Sequence, residues 1–519
     1  MSAFERIAIG CFLAASFVFG AFHLSGPLDE PMWRQTDTAY MAVRMMDESP
    51  PDLLRPKAPY RGTNDVKAAE FPIYPALVSL GYKVVGQESL PVARAISLTI
   101  FWLGLFFLWE SIKILSGARI ASWSVVLYAW APLSLGYARM VHPDFTIILF
   151  SHLFLFALLR FIVSGRVGWW LLACLGATGG FLMKAPYCFY LGLLPGWWWL
   201  VDREKRTWGR FVGLATVFII PLIAGLWFNS YRIAQEAPFV ESLIYPMKWT
   251  AASTSSRFFG HLAQRFDPMA WKLIAQRLWF LVLTPIGVIL ALVGLWRLPA
   301  EPRSWAVWIW GIGVGLYTLL VFPMVTSGHE YYSIPFLAYA GLLAARGGIR
   351  IVGWAQSRLA WRPAVTGALI VLLWGIGVQR SLARGPYLSG DPWFSVDWQR
   401  VLTGRAIAEH TAKTDLVLSV THGRSTGWSD PRILYNADRL GWAIEARSLT
   451  ASNLASFAEA GASIAAVLVT PEAESREDEL GPLAHREHEA VELERDGMAI
   501  GSVRFYRLDE TSPIPRGEK

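Results

Sequence analysis

What this sequence has little of is charge. Of its 519 residues only 17% are charged, against 54% that are hydrophobic, and the mean hydropathy is +0.36. A soluble domain carries about a quarter charged residues, so the composition excludes a single soluble globular body. Cysteine is scarce as well. Cys11, Cys174 and Cys188 lie far apart inside apolar blocks, with no Cys or His at ligand spacing. That excludes a disulfide framework and a zinc site and leaves buried structural thiols. Nor does an A-x-A-type cleavage site follow the N-terminal apolar stretch, which therefore reads as an uncleaved first helix rather than a signal peptide. The net charge of +7 and pI near 9.2 do not point to nucleic acid, because Lys and Arg cluster in short loops between apolar blocks, where they orient a membrane protein.

What is there is a series of apolar blocks, each near the roughly twenty residues that cross a hydrocarbon core. The pattern predicts a polytopic α-helical membrane protein with about eleven spans, near 5–22, 91–113, 120–138, 144–163, 168–184, 187–201, 211–229, 277–296, 304–323, 331–346 and 363–379. With a cytoplasmic N-terminus, the short inside loops are all basic. They carry Lys113 and Arg119; Arg160 and Arg166; Arg203, Lys205, Arg206 and Arg210; Arg297 and Arg303; and Arg346, Arg350, Arg358 and Arg362. The long segments 23–90 and 230–276 then fall outside, with everything after about residue 380. The run "FPIYPALVSLGYKVVG" (71–86) is short and broken by prolines, so it is expected as a helix on the outer membrane surface. Residues 1–384 thus read as the transmembrane domain. Residues 385–519 read as a small extracytoplasmic α/β domain, with strands in "DLVLSV" (415–420), "SIAAVLVT" (463–470) and "MAIGSVRFYRL" (498–508), and helices at 397–411 and 451–460, where Thr450 and Ser452 offer N-cap oxygens.

Five polar motifs fall on the predicted outer face. "PMWRQTDTAY" holds Arg34 and Asp37. "RGTNDVKAAEF" brings Arg61, Asp65, Lys67 and Glu70. "ARMVHPDF" brings Arg139, His142 and Asp144, "MKAPY" brings Lys184, and "SGHEYYSIPF" brings His329, Glu330, Tyr331 and Tyr332. A sixth stretch, 230–276, mixes Tyr245, Trp249, Phe258 and Phe259 with Lys248, Arg257 and Arg265, as suits a loop that covers a lipid phosphate. Each residue taken alone has a bland reading: Asp144 as a helix N-terminal acid, Lys184 as a snorkelling lysine, Tyr331 and Tyr332 as interfacial aromatics. Collected on one face they suggest a site. Carboxylates accept a proton from an attacking hydroxyl; Lys, Arg and His hold a phosphate and stabilise its charge as it leaves. Beside long apolar helices the phosphate carrier is a lipid, so the chemistry suits transfer of a group from a lipid phosphate to an acceptor.

At these residues the sequence resembles a known family. "WRQTDTAYMAVRMM", "EFPIYPAL", "HPDFTIILF", "MKAPY" and "HEYYSIP" arrive in the order seen in membrane glycosyltransferases of the GT-C class, in the branch of protein O-mannosyltransferases and the aminoarabinose transferases of lipid A. The resemblance covers residues 5–380. It implies a polyprenyl-phosphate sugar as donor, an inverting displacement, and a catalytic carboxylate in the first external loop. Carried over, Asp37 matches that loop acid, Glu70 the acid before the Pro-rich helix, Asp144 the later acid, and Lys184 a phosphate-side lysine. Arg34, Arg61, Lys67, Arg139, Arg257, His329 and Tyr332 are further candidates for binding the donor phosphate. Many relatives have two adjacent acids after the first helix where "WRQTD" supplies one, so Asp29, Glu30 and Glu70 stand beside Asp37 as alternatives for the base.

The expected partners are a polyprenyl-phosphate sugar, membrane lipid and an envelope lipid, glycan or protein as acceptor, in a bacterial-type inner membrane, with no nucleic acid. No cofactor is implied; a divalent cation is compatible with the carboxylates, though no metal-ligand spacing marks a site. Two other readings stand: a polymerase or ligase using a lipid diphosphate, which shares the site chemistry, and a transporter or flippase, which requires ionisable residues paired along a midplane pathway.

Overall fold

The computed structural model describes residues 1–29, 32–62, 66–67, 69–201, 207–241, 251–296, 302–326, 329–359, 362–388, 393–422, 430–471, 477–483, 486 and 489–508. In chain order the helices are α1 (Ala3–Phe22), α2 (Met32–Met46), α3 (Ile73–Val85), α4 (Leu90–Ser116), α5 (Ala118–Ala129), α6 (Pro132–Tyr137) and α7 (Asp144–Ser164). Next come α8 (Val167–Lys184), α9 (Pro186–Phe189), α10 (Leu193–Val201), α11 (Trp208–Glu241), α12 (Ala251–Phe259), α13 (Pro268–Arg277) and α14 (Thr284–Leu295). The last are α15 (Pro302–Leu320), α16 (Phe322–Thr326), α17 (Phe336–Leu359), α18 (Pro363–Arg384), α19 (Trp398–His410), α20 (Arg432–Ala437) and α21 (Ala451–Glu459). The chain divides into two compact units, one of residues 1–26, 89–230 and 251–394, the other of 27–88, 231–250 and 395–519.

The first unit is the membrane body. Seven helices among the described residues are long and apolar enough to span, or eight if one bent pair is a single span. All eleven predicted segments contain helix, but four are interrupted or short, and the reasons are local. In 120–138 the chain breaks between α5 and α6 at Pro132, which has no N–H to continue the ladder. In 187–201 a 3₁₀ turn, Tyr190–Gly192, separates α9 from α10. In 277–296 Thr284, the residue before Pro285, has a φ of 63°, and the helix on either side bends by 103°. The apolar run of α15 counts only from Trp305 to Leu320. The segment 230–276, expected as a loop, is largely helical: α11 runs to Glu241, followed by α12, a 3₁₀ turn at Leu262–Phe266 and α13. Tyr245, Lys248 and Trp249 lie outside the described residues.

α7 is the most enclosed span, with 78% of its apolar window buried against 17% for α1. It lies against α4 and α8. Gly176 in α8 permits this, since a Cβ there would sit 2.8 Å from the backbone nitrogen of Phe154. α14 and α17 approach through Gly294 and Gly347, where a Cβ on either would overlap a carbonyl of the other helix. Close approach at small residues is how apolar helices gain dispersion contact in lipid. Arg94, fully buried near the start of α4, donates from Nη1 to the carbonyls of Leu24, Ser25 and Gly26 at 3.0, 2.9 and 2.9 Å, tying off the end of α1.

The second unit is built on a five-stranded sheet: β1 (Leu416–His422), β2 (Leu440–Glu445), β3 (Ala462–Val469), β4 (Glu489–Arg495) and β5 (Met498–Arg507), in the order β2-β1-β3-β5-β4. β1 pairs in parallel with β2 and β3, through the crossover helices α20 and α21, and the β4–β5 hairpin is antiparallel. α21 starts at its predicted cap, with Thr450 Oγ1 accepting from the Asn453 amide at 3.1 Å. Beside α20 a buried charge cluster closes the domain. Asp430 accepts from Arg432 Nη2 at 2.8 Å and from Arg400 Nε at 3.1 Å, and Arg400 also pairs with Asp397. Burial acts to raise the Asp430 pKa, but Arg432 and then Arg400 outweigh it and hold the carboxyl below its ordinary value.

Two expected outcomes follow from this packing. Gly347→Val should destabilise the membrane unit by about 1–3 kcal/mol, the usual cost of overpacking, read as a lower unfolding temperature in detergent. Because the Asp430 pKa is lowered on folding, its contribution is present above the unfolded carboxylate range and is lost as pH falls through the folded value. Asp430→Asn should therefore weaken the domain at neutral pH by about 3–5 kcal/mol and flatten the acid limb of its unfolding curve.

Candidate functional site

The predicted site residues fall into two clusters, one in each unit, and each is described by itself.

In the second unit, α2 begins at Met32 and presents Arg34 and Asp37 one turn apart, so both lie on one helix face. Asp37 is buried, with only 3% of its side chain exposed, and its Oδ2 takes the Lys67 ammonium at 2.5 Å. Arg34 Nη1 lies 3.9 Å from the same oxygen, and the other guanidinium arm is ion-paired to Glu70. Lys67 Nζ also stands 5.1 Å from the centre of the Tyr60 ring. Arg61 donates from Nη1 to the Val66 carbonyl at 3.1 Å. The four residues that sequence placed in two separate motifs, Arg34, Asp37, Lys67 and Glu70, thus form one network. Burial pushes Lys67 below the ordinary lysine value, Asp37 opposes that, and the charges of Arg34 and Arg61 act in the same direction as burial. Asp37 Oδ1 is buried and has no hydrogen-bond partner among the described residues. The alternative bases differ. Asp29 is buried with its Oδ1 accepting from Gln35 at 3.3 Å, while Glu30 and Asp65 lie outside the described residues.

In the membrane unit, Asp144 is the first residue of α7 and is fully buried. Lys184, the last residue of α8, reaches its Oδ1 at 2.6 Å. Tyr187 lies 3.5 Å from Oδ2 and donates its hydroxyl to the Tyr331 carbonyl at 2.9 Å; His142 Nδ1 is 3.6 Å from Oδ2. Three aromatic rings surround the ammonium: Tyr187, Tyr331 and Tyr332 have their centres 4.7, 4.9 and 4.7 Å from Nζ. A cation is stabilised over the faces of such rings. His329 stacks on Tyr331 at 5.2 Å, and Tyr332 is fixed by Tyr317, whose hydroxyl donates to its carbonyl at 2.7 Å. "HPDF", "MKAPY" and "HEYYSIP" therefore converge on one lysine. Ser327 and Gly328 lie outside the described residues. Arg139 is nearby in sequence but is engaged with α1: its Nη1 donates to the His23 carbonyl at 2.9 Å and its guanidinium lies over Phe394 at 4.6 Å. Arg257 is half-buried in α12, which packs against α16.

Some participants had no signal in the sequence. Tyr60 and Tyr187 look like ordinary interfacial aromatics until their rings are seen against lysines. Arg277 donates to the Val325 carbonyl at 2.5 Å and the His329 carbonyl at 3.4 Å, holding the chain just before the tyrosine pair. Tyr137 donates to the buried carboxylate of Glu330, 193 positions away. Among the described residues no group of three or more His, Cys, Asp and Glu side chains is arranged to hold a metal ion.

Breaking one side of a buried ion pair strands the other charge. Lys184→Ala should thus lower the stability of the membrane unit by about 3–5 kcal/mol, and the double change Lys184→Met with Asp144→Leu should recover a large part of that loss. Unfolding temperatures of the two variants and the wild type in one detergent check this.

A family model described as dolichyl-phosphate-mannose-protein mannosyltransferase matches residues 67–227. Among solved structures the chain is similar to ArnT from Cupriavidus metallidurans. The apo form gives 15% identity and a TM-score of 0.58 over 97% of this chain and 98% of that one. The form bound to undecaprenyl phosphate gives 14% and 0.58 over 98% and 99%. The apo oligosaccharyltransferase of Archaeoglobus fulgidus gives 12% identity and a TM-score of 0.57 over 96% of this chain and 75% of that one. The arabinofuranosyltransferase AftD from Mycobacteria gives 15% and 0.54, over 98% of this chain but 40% of that one. A search of curated protein sequences found no match. At these identities the likeness is one of fold, and it agrees with the motif resemblance: the chain is a multi-pass membrane protein with the GT-C fold of membrane glycosyltransferases.

Proposed function

We propose that this protein is an inverting membrane glycosyltransferase that moves a sugar from a polyprenyl-phosphate donor to a cell-envelope acceptor at the outer face of a bacterial inner membrane. In this reading the N-terminus is cytoplasmic and the C-terminal α/β domain extracytoplasmic. The observation that carries it is Asp37, a buried carboxylate with one oxygen engaged by Lys67 and the other without a hydrogen-bond partner among the described residues. An acceptor carboxylate that lacks a donor suits a general base. Oδ1 takes the proton of the acceptor hydroxyl, the hydroxyl oxygen attacks the anomeric carbon from the face opposite the phosphate, and the bond from that carbon to the phosphate oxygen breaks, so configuration inverts. Polyprenyl phosphate departs with the bonding electrons.

The cations have separate tasks in this scheme. Lys67 and Arg34 face Asp37 and fix its carboxylate in place, and Glu70 holds Arg34. In the membrane unit, Lys184 is oriented by Asp144 and the tyrosines, as suits a group that meets the donor phosphate. Asp144 there acts as the counter-ion of Lys184 rather than as a second base. The family model named for dolichyl-phosphate mannose and the fold shared with a protein solved with undecaprenyl phosphate support a lipid monophosphate donor.

The test is release of sugar from a polyprenyl monophosphate, and from a diphosphate in parallel, by purified protein in lipid. Asp37→Asn should lower turnover on the monophosphate by about 10² to 10⁴-fold, measured per folded protein because the change also leaves Lys67 without its counter-ion, and Asp29→Asn should stay within a few fold of wild type. Full turnover by Asp37→Asn would move the base elsewhere, and preference for the diphosphate would replace the donor class.

A further inference from the structure

Residues 56–62, with 66 and 67, belong to the C-terminal domain as much as to the loop in which they lie. Lys57 bridges Val66 in antiparallel fashion, and the Lys67 amide donates to the Pro56 carbonyl at 2.7 Å. Residues 59–62 run along β2. The Gly62 amide donates to the Gly441 carbonyl at 2.7 Å, and the Gly441 amide to the Pro59 carbonyl at 3.0 Å. β2 is an edge strand, so these bonds occupy backbone groups that a sheet edge otherwise leaves open. Gly62 sits at a φ of +62°, and a Cβ there would overlap the Trp442 indole. Ala58 and Tyr60 are members of the domain's apolar core, together with Trp442, Val420, Ile444 and Phe457.

Tyr60 is therefore shared between two structures. It is 3% exposed and packed into the core of the α/β domain, while its ring meets the ammonium that holds Asp37. From the proposed function, on which this step rests, we infer that Tyr60 is the positioning residue of the Asp37–Lys67 pair, and that the C-terminal domain serves transfer by fixing that ring. The charged groups facing Lys67 are Asp37, Arg34 and Arg61, with Glu70 behind Arg34. Asp37 pulls the ammonium toward α2 and the two arginines repel it. The Tyr60 face is the neutral contact that selects where between them Nζ comes to rest.

The experiment uses the full-length protein in nanodiscs, with position 60 carrying phenylalanine and then phenylalanine bearing one, two and three ring fluorines. Shape is nearly constant along this series while the negative face of the ring weakens. Lys67 is followed by NMR of ε-¹⁵N-lysine, its signal assigned with Lys67→Arg. Because the ring favours the charged ammonium, the titration midpoint should fall stepwise, by about half to one pH unit in total, the equivalent of a cation–π contact. The transfer rate should fall in the same order with the acceptor KM unchanged. A midpoint that stays fixed along the series overturns the inference. Trp442→Leu, which loosens the core around residues 58–62, should shift the midpoint the same way; a wild-type midpoint there overturns the domain's part in it. The titration needs no substrate, so a midpoint that moves in a protein without transfer from any polyprenyl phosphate refutes the proposed reaction and not the Tyr60 contact.

Discussion

A lysine ammonium taken out of water must be given a carboxylate and a polarisable surround, or it loses its proton or unfolds its neighbours. Both units meet this constraint in the same way. In one, Lys67 is placed between Asp37 and the ring of Tyr60. In the other, Lys184 is placed between Asp144 and the rings of Tyr187, Tyr331 and Tyr332. The aromatic faces supply electrostatic attraction without a second full negative charge, so each lysine and its aspartate make a neutral pair. An Asp and a Glu around each ammonium would have made the group net anionic.

The elements that support the lysines are correspondingly stiff. α7 starts at Asp144 directly after Pro143, and α8 ends at Lys184 two residues before Pro186, so the two residues of the pair sit at helix termini whose positions proline helps to set. Gly176 then lets α8 lie against α7 closely enough for the pair to meet. On the other side, α2 carries Arg34 and Asp37 on one face, and the Lys57–Val66 bridge holds the turn that delivers Lys67. A change in either helix contact alters the site without touching a polar atom.

Much of this could be read before any coordinates. Long unbroken apolar runs such as α7 and α4 declare themselves because lipid tolerates no other pattern. β1 and β3 are equally plain, since central parallel strands are buried on both faces and read as continuous runs of Val, Leu, Ile and Ala. β2 and β4 were hidden for opposite reasons. β2 is short and carries Gly441, and β4 alternates Glu489, Glu492 and Glu494 with apolar residues at a charged sheet edge. The interrupted spans escaped because hydropathy averages over a proline. The candidate residues were legible as types in a sequence order, and Asp37, Lys67, Glu70, Asp144 and Lys184 all lie in the two clusters. Their pairings were not, because Asp37 with Lys67 and Asp144 with Lys184 join positions 30 and 40 apart, and nothing local in the chain encodes which of several lysines an acid will meet.

The seam between residues 59–62 and β2 also has a meaning for the order in which this chain is made. Ala58 and Tyr60 belong to a core whose other members lie between Ala406 and Leu508, so the turn that carries Lys67 emerges from the ribosome long before the strand that receives it. Until β2 is synthesised, those two side chains have no apolar home. The loop must wait, with its backbone donors solvated or shielded by lipid or chaperone, while the intervening spans are inserted. A chain that stops short of Gly441 would retain every candidate side chain around Asp37 and yet lack the surface on which that turn is laid down.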